Sequence, residues 1–497
     1  MSESKFTNFK NKSPHLPSGV LDPAGRISTT PIHPRSKGSL TSQAAGILGR
    51  WGDKRVLVMG LGLHDGGVGT VKFLARAGAQ VTVTDLRPRR ILTPALDKLR
   101  GLKNVRYILG KHRKKDFIGH DLIVKNPGVQ PNSPYLKLAK KHRIPITSDM
   151  GLFFGACPAK IIGITGTRGK STTAHLIWKF LKTGFARVYL GGNIRKSVLD
   201  FLPHLKRNDL VVLELSSFQL KDLARQKKSP HIAVLTNIFR DHLNWHRGFR
   251  DYLQSKSIIF KFQGKKDYLF ANTKDKIVRG LAKSAHSHVV FPRLPKHLRL
   301  IVDKKLGSQF RESTALAIAV ARHFKISPSR IEKILRSFRG LPGRQKHIGR
   351  VKGINFINDT TSTIPEAAMA AIKRFRMRAP RPRKLILIAG GSDKKLDFHG
   401  LAAMIKKNAD IVIFLPGTAT DKIVQLIKVK TWHQGLTPME AKSMSDAVRK
   451  AYRLAQYGDY IVLSPGAASF GLFLNEFDRG DQFVKEVQKL KHDGKRR

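Results

Sequence analysis

The run G-T-R-G-K-S-T at Gly166–Thr172 has the residue types and spacing to hold a phosphate. Gly166 and Gly169 let backbone N–H groups approach phosphate oxygens, Lys170 can reach the terminal phosphates, and Ser171 or Thr172 can ligate Mg²⁺. The apolar Ile161-Ile162 precedes the run, and "STTAHLIWKFLK" follows it as a helix whose positive end would face the anion. Thr167 and Arg168 fill the variable positions. The commonest phosphate loop has a glycine five residues before Gly169, where this chain has Ile164. Strand before, helix after and G-K-S-T between them still predict a nucleotide site, because an incidental glycine turn would not carry all three.

Other chemistry-bearing residues sit at the ends of apolar runs. Glu214 closes "DLVVLE", where ligands gather in open α/β sheets, and an acid beside a phosphate loop can hold Mg²⁺. A role merely flanking the strand is equally open to it. Asp241 and His242 end "TNIFRDH", and Lys256 follows in "DYLQSK". A histidine at a strand end more often serves structure than catalysis, and a lone lysine in so basic a chain carries little weight. Nearer the start, "GLGLHDGG" resembles a dinucleotide fingerprint, except that Asp65 takes the third glycine's place. Asp85, ending the next strand, sits where a ribose-binding acid is expected. This predicts a nucleotide-type ligand without choosing between NAD and a nucleotide sugar.

The elements that must position these residues read as α/β. Strand, glycine turn, helix and strand succeed one another in "KRVLVMGLGLHDGG…VTVTD", a βαβ unit that predicts a parallel sheet. Similar runs recur from "AKIIGIT" and again from "INFINDT" through "DYIVLSPGAAS". The reading is a basic, disordered extension over 1–50 and three α/β domains over 51–158, 159–340 and 341–497. Lys and Arg number 93 against 34 Asp and Glu, a formal charge of +59. The excess is spread through every third of the chain with no nucleic-acid motif beside it, so a solvated basic surface is predicted rather than a nucleic-acid role. One cysteine, Cys157, excludes a disulfide framework, and no apolar stretch suits a signal or a membrane span, which predicts a cytoplasmic protein.

Taken in order, "GTRGKSTT", "GGN", "LELSSFQL", "TNIFRDHLNWH", "YLQSK", "GLPGR", "IND", "AGGSDKKLDF" and "LSPGAASFGLFLNEFDRG" resemble the Mur ligase family over about residues 54–490. The resemblance is strongest to its glutamate-adding branch, and the irregular loop matches that family's own G-T-x-G-K-[ST]. It implies three α/β domains: a Rossmann-like one for UDP, a central P-loop one for ATP, and a C-terminal Rossmann-like one for glutamate. The implied reaction is ATP-dependent joining of glutamate to UDP-N-acetylmuramoyl-L-alanine through an acyl phosphate, by a monomer. Lys170 would stabilise the transferring phosphoryl group. Ser171, Glu214, His242 and a carbamylated Lys256 would hold two Mg²⁺ ions, with Asn193 near the reacting groups. Arg344 and Asp359 match nucleotide contacts. Leu63, His64, Asp85, Arg87, Asn126, Pro127 and Gly128 are the candidates for UDP, and Thr363, Lys394 and Ser469 for glutamate. The chain departs from the pattern at Phe310 and Ser313, where asparagines are usual, at Thr361, where a lysine is expected and Arg168 is the candidate replacement, and at Glu476-Phe477, whose order is reversed. The rivals are another Mur-type ligase or a basic P-loop NTPase acting on nucleic acid.

Overall fold

Three twisted sheets follow one another along the chain in a computed structural model that describes residues 51–63, 65–194, 197–243, 245–428 and 437–493. The extension assigned to residues 1–50 lies outside them. The first sheet contains β1 (Arg55–Met59), β2 (Gln80–Asp85), β3 (Val105–Leu109), β4 (Leu122–Lys125) and β5 (Ile146–Thr147), in the order β3-β2-β1-β4-β5. The second contains β6 (Lys160–Thr165), β7 (Val188–Gly192), β8 (Leu210–Glu214), β9 (Ile232–Leu235), β10 (Tyr268–Ala271) and β11 (His288–Val290), ordered β11-β10-β9-β6-β8-β7. The third contains β12 (Lys346–Val351), β13 (Ile354–Asn358), β14 (Leu385–Gly390), β15 (Ile411–Leu415), β16 (Thr437–Glu440) and β17 (Tyr460–Leu463), ordered β12-β13-β17-β14-β15-β16. Every pairing is parallel except β12 with β13.

Parallel strands covered by helices on both faces need unbroken apolar runs, and β8 and β14 supply them with every residue buried. The helix Lys170–Leu181 buries Ala174, Leu176, Ile177, Phe180 and Leu181. It packs against the helix Arg311–His323, which buries Leu316, Ala317 and Val320. That packing fixes the direction in which the first turn of Lys170–Leu181, and hence the phosphate loop before it, faces.

Strand order decides where a ligand can enter. In the first sheet β1 lies between β2 and β4, so the connections leaving β1 and β4 diverge and open a crevice beyond their carboxyl ends. In the second sheet β6 lies between β9 and β8, which gathers the loops after all three. In the third, β17 separates β13 from β14. Fully buried Arg479 ties two of these last loops together, donating to the carbonyls of Thr360 (2.8 Å) and Ala467 (3.2 Å).

The first two units are fastened by a buried ion pair. Lys125 Nζ, at the end of β4, donates to Asp222 Oδ2 at 2.7 Å, with side chains 1% and 7% exposed. Burial raises the Asp222 pKa and the Lys125 charge opposes it. Removing one partner strands a buried charge, so Lys125→Met is expected to cost about 3–5 kcal/mol in chemical denaturation. Adding Asp222→Leu should restore much of the loss. A single variant as stable as the parent would show that the pair does not hold the two units together.

Candidate active site

The carboxyl ends of the three sheets meet around a cleft of about 500 Å³. Its wall includes Asn126–Gly128 from the first unit, Lys170, Glu214, His242 and Lys256 from the second, and Arg344, Thr363, Lys394 and Ser469 from the third. Sequence positions more than 300 residues apart thus line one cavity.

The phosphate loop is built from its neighbours. Gly166 has φ +147° and Gly169 +79°, the left-handed region where side chains are strained. A Cβ on Gly166 would lie 1.9 Å from Thr236 Oγ1, and one on Gly169 2.2 Å from Ser313 Oγ, so the loop needs glycine at both places. The segment after β9 clamps it: Thr167 N donates to Asn237 O (2.8 Å) and Arg168 N to Asn237 Oδ1 (2.7 Å). Thr236 Oγ1 donates back to the Arg168 carbonyl at 2.5 Å. The amides of Thr167 and Arg168 are therefore committed to Asn237. The start of helix Lys170–Leu181 carries no side-chain cap, so its first amides are the ones left for an anion. Lys170 Nζ folds over the loop, donating to the carbonyls of Gly166 and Thr167 at 3.0 Å each.

Glu214 ends β8 beside this loop. Its Oε2 accepts a short hydrogen bond from Ser171 Oγ, and its Oε1 accepts from Asn193 Nδ2 at 3.1 Å. The following "SSFQ" explains why the strand stops there. Ser216 and Gln219 form a reciprocal capping box that starts the helix Ser217–Leu223.

His242 sits on the far wall with φ +56°. Dense surroundings bring its pKa down to about 3, although Asp241 pulls the other way, so the imidazole is neutral and able to ligate. Asp241 is buried, which raises its pKa, but the charges of Lys394 and Arg168 outweigh that and hold it ionised. Lys256 is 2% exposed, and burial, helped by the Lys170 charge, pushes its pKa far down. Its Nζ donates to Gly166 O at 2.8 Å.

Several predicted residues stand elsewhere. Leu63, Asp85, Arg87, Gly166, Thr172 and Asp359 do not line the cleft, and His64 lies outside the described residues. Asp85 is tied to the glycine turn, accepting from Gly62 N (3.0 Å) and Arg87 N (2.9 Å). Asp359 accepts from Gln345 N (3.0 Å) and Ser464 Oγ (2.8 Å), and burial raises its pKa to about 7. Arg168 does line the cleft, and its guanidinium reaches the third unit, 3.4 Å from the carbonyls of Thr361 and Ile364. Sequence reasoning left out Asn237, which shapes the loop, and Trp245, whose indole N–H donates to Gly128 O at 3.1 Å and joins the His242 segment to the first unit. Tyr252, which meets Thr167 Oγ1 at 2.9 Å, was also missed. A polar cluster after an apolar run was the available signal for Asn237. Nothing in the spacing singles out the other two.

Family models match nearly the whole of this architecture in order. The Mur ligase MurD-like N-terminal domain matches residues 54–148, the Mur ligase middle domain 164–321, and the Mur ligase glutamate ligase domain 343–466. The chain belongs to the Mur ligase family. Among curated relatives in that family, UDP-N-acetylmuramoylalanine–D-glutamate ligase of Roseiflexus sp. is 36% identical, over 88% of this chain and 98% of that protein. The enzyme of the same name from Borreliella burgdorferi is also 36% identical, over 87% and 97%. Solved Mur ligases share the fold at lower identity. UDP-N-acetylmuramate–alanine ligase of Thermotoga maritima aligns with a TM-score of 0.57 at 16% identity, covering 88% of this chain and 99% of that one. MurF ligase from the same organism, in complex with ADP, gives 0.54 at 15%, covering 90% and 97%. No helix among the described residues of this Mur ligase is long and apolar enough to cross a membrane.

Proposed function

We propose that this chain joins D-glutamate to UDP-N-acetylmuramoyl-L-alanine in the cytoplasm, at the expense of ATP. The observation that carries this reading is the convergence of three kinds of site on one cleft: an anion-holding loop, a turn on the first sheet, and a cationic pocket on the third. The curated relatives that match nearly end to end share one named activity, which supports the choice of amino acid and acceptor.

The reaction this geometry suits has two steps. The substrate carboxylate attacks the γ-phosphorus of ATP, ADP leaves, and an acyl phosphate forms. The amine of glutamate then adds to the acyl carbon, loses a proton, and expels phosphate as the amide bond forms. Lys170 would swing from the loop carbonyls to the transferring phosphoryl group and stabilise the charge that accumulates there. Lys394 Nζ, 3.2 Å from Asp241 Oδ1 and 3.4 Å from Thr363 Oγ1, is placed to meet a carboxylate of the incoming amino acid.

The residues present fit divalent metal. Ser171 Oγ and Glu214 Oε2 meet beside the phosphate loop and His242 is a neutral imidazole, hard oxygen and nitrogen donors of the kind Mg²⁺ takes together with phosphate oxygens and waters, although no three or more His, Cys, Asp and Glu of the described residues cluster around one point. Ser171, Glu214 and His242 would hold the ions, and Lys256 would join them once its neutral amine had taken up carbon dioxide as a carbamate. When bound, Mg²⁺ neutralises phosphate charge and orients the oxygens for in-line transfer.

Phosphate release tests the amino-acid assignment. With ATP, Mg²⁺ and UDP-N-acetylmuramoyl-L-alanine, release is expected to depend on D-glutamate and to stay at background with L-glutamate or no amino acid. Release driven by L-glutamate, or by nucleic acid in the absence of any amino acid, would overturn the assignment.

A further inference from the structure

Three cations cross the seam between the central and third units, and they do not all point the same way. Arg344 of the third unit donates through NH2 to Ser171 Oγ in the phosphate loop at 2.6 Å. Lys394 of the third unit reaches Asp241. Arg168 runs in the opposite direction, from inside the phosphate loop into the connection that follows β13. Its NH1 and NH2 lie 3.4 Å from the carbonyls of Thr361 and Ile364.

Those two carbonyls bracket Thr363, the residue that contacts Lys394 in the cationic pocket. Arg344 braces the same connection from beneath, with NH1 donating to Thr361 Oγ1 at 3.1 Å. Two arginines thus reach the connection from either side, while within the third unit it is tied down by Thr361 N and Oγ1 on Gly343 O and by Gly466 N on Ser362 O. Arg168 is partly buried, and burial brings its pKa down to about 10, with Asp359 and Asp241 opposing. Both carbonyl partners and Asp359 belong to the third unit. If that unit swung away, the guanidinium would lose them together and keep only Asp241 of the central unit among the carboxylates that favour its charge.

We infer that Arg168 is a positioning residue that fastens the Thr361–Ile364 connection to the phosphate loop, so that the amino-acid pocket is complete only while the third unit is closed over the nucleotide loop. The backbone of Arg168 shapes one site while its side chain assembles another. This rests on the reading of the cleft as an ATP- and glutamate-using one. Thr167 and Arg168 already give their amides to Asn237, so replacing the Arg168 side chain leaves the loop's own clamp in place.

The test compares the parent with Arg168→Gln and Arg168→Lys in steady-state phosphate release. The glutamate KM of Arg168→Gln is expected to rise about 10-fold, within the usual span of coupling between sites, while its ATP KM moves less than about threefold. Arg168→Lys keeps the charge but not the two-pronged fork and should recover part of the loss. A glutamate KM unchanged in Arg168→Gln, or a rise confined to the ATP KM, would overturn the inference. Small-angle scattering supplies a second readout that does not depend on which amino acid is used. With ATP and Mg²⁺ the parent should be more compact than Arg168→Gln, and superimposable curves would count against the fastening. A parent that releases no phosphate with any amino acid, yet still scatters as the more compact form, would leave the fastening standing and sink the assigned reaction instead.

Discussion

Lys170→Ala is expected to lower the turnover number about 1,000-fold while leaving the protein folded and able to bind its UDP substrate. The loss corresponds to ~4 kcal/mol of transition-state stabilisation, at 1.36 kcal/mol for each factor of ten. Lys170 Nζ now spends its hydrogen bonds on the Gly166 and Thr167 carbonyls, a resting arrangement from which it can swing to a phosphate oxygen. Burial lowers its pKa, and Glu214 opposes that by favouring the charged form. A cation held in dense surroundings acts on phosphoryl charge with little screening, which is why its removal is costly. Single-turnover release of phosphate checks the chemical step, and a thermal denaturation curve checks the fold. A variant with near-parental turnover would remove the phosphate loop from the mechanism.

Lys256→Ala carries the second large effect, a loss of similar size with a distinctive remedy. The side chain is almost wholly enclosed and has no carboxylate partner among the ion pairs of the described residues, so a bare ammonium would be poorly compensated there. A neutral amine in that position can attack carbon dioxide, lose a proton and become a carbamate anion. The carbamate nitrogen keeps one N–H, enough to retain the 2.8 Å bond to Gly166 O. High acetate is therefore expected to restore part of the activity of Lys256→Ala, and bicarbonate to restore a parent enzyme prepared free of carbon dioxide. If neither addition has any effect, Lys256 is a plain amine that holds the loop.

The sequence made some of this legible and hid the rest for physical reasons. Glycine, lysine and hydroxyl residues at 166–172 announce a phosphate loop because few other structures need that combination, and the long apolar runs of β8 and β14 announce buried parallel strands. Lys256 could be picked out only through resemblance to a family, since a single lysine among 93 basic residues has no local signature. Its enclosure by Tyr252 and the Gly166 carbonyl is a property of packing. Asp85 illustrates the opposite case. Its position at the end of β2 suggests a ligand contact, and packing adds a second task that no spacing announces: its oxygens accept from Gly62 N of the glycine turn and from Arg87 N. Arg168 was singled out as a variable-position cation in a phosphate loop. The direction of its side chain depends on how the third unit closes, and no local pattern encodes that.

The most direct test of the central claim is the mass of the product. After incubation with ATP, Mg²⁺, UDP-N-acetylmuramoyl-L-alanine and isotopically labelled D-glutamate, the UDP-linked species should gain one labelled glutamate residue for each ADP formed. Consumption of ATP with no such gain would contradict the assignment of this cleft to peptide-bond formation.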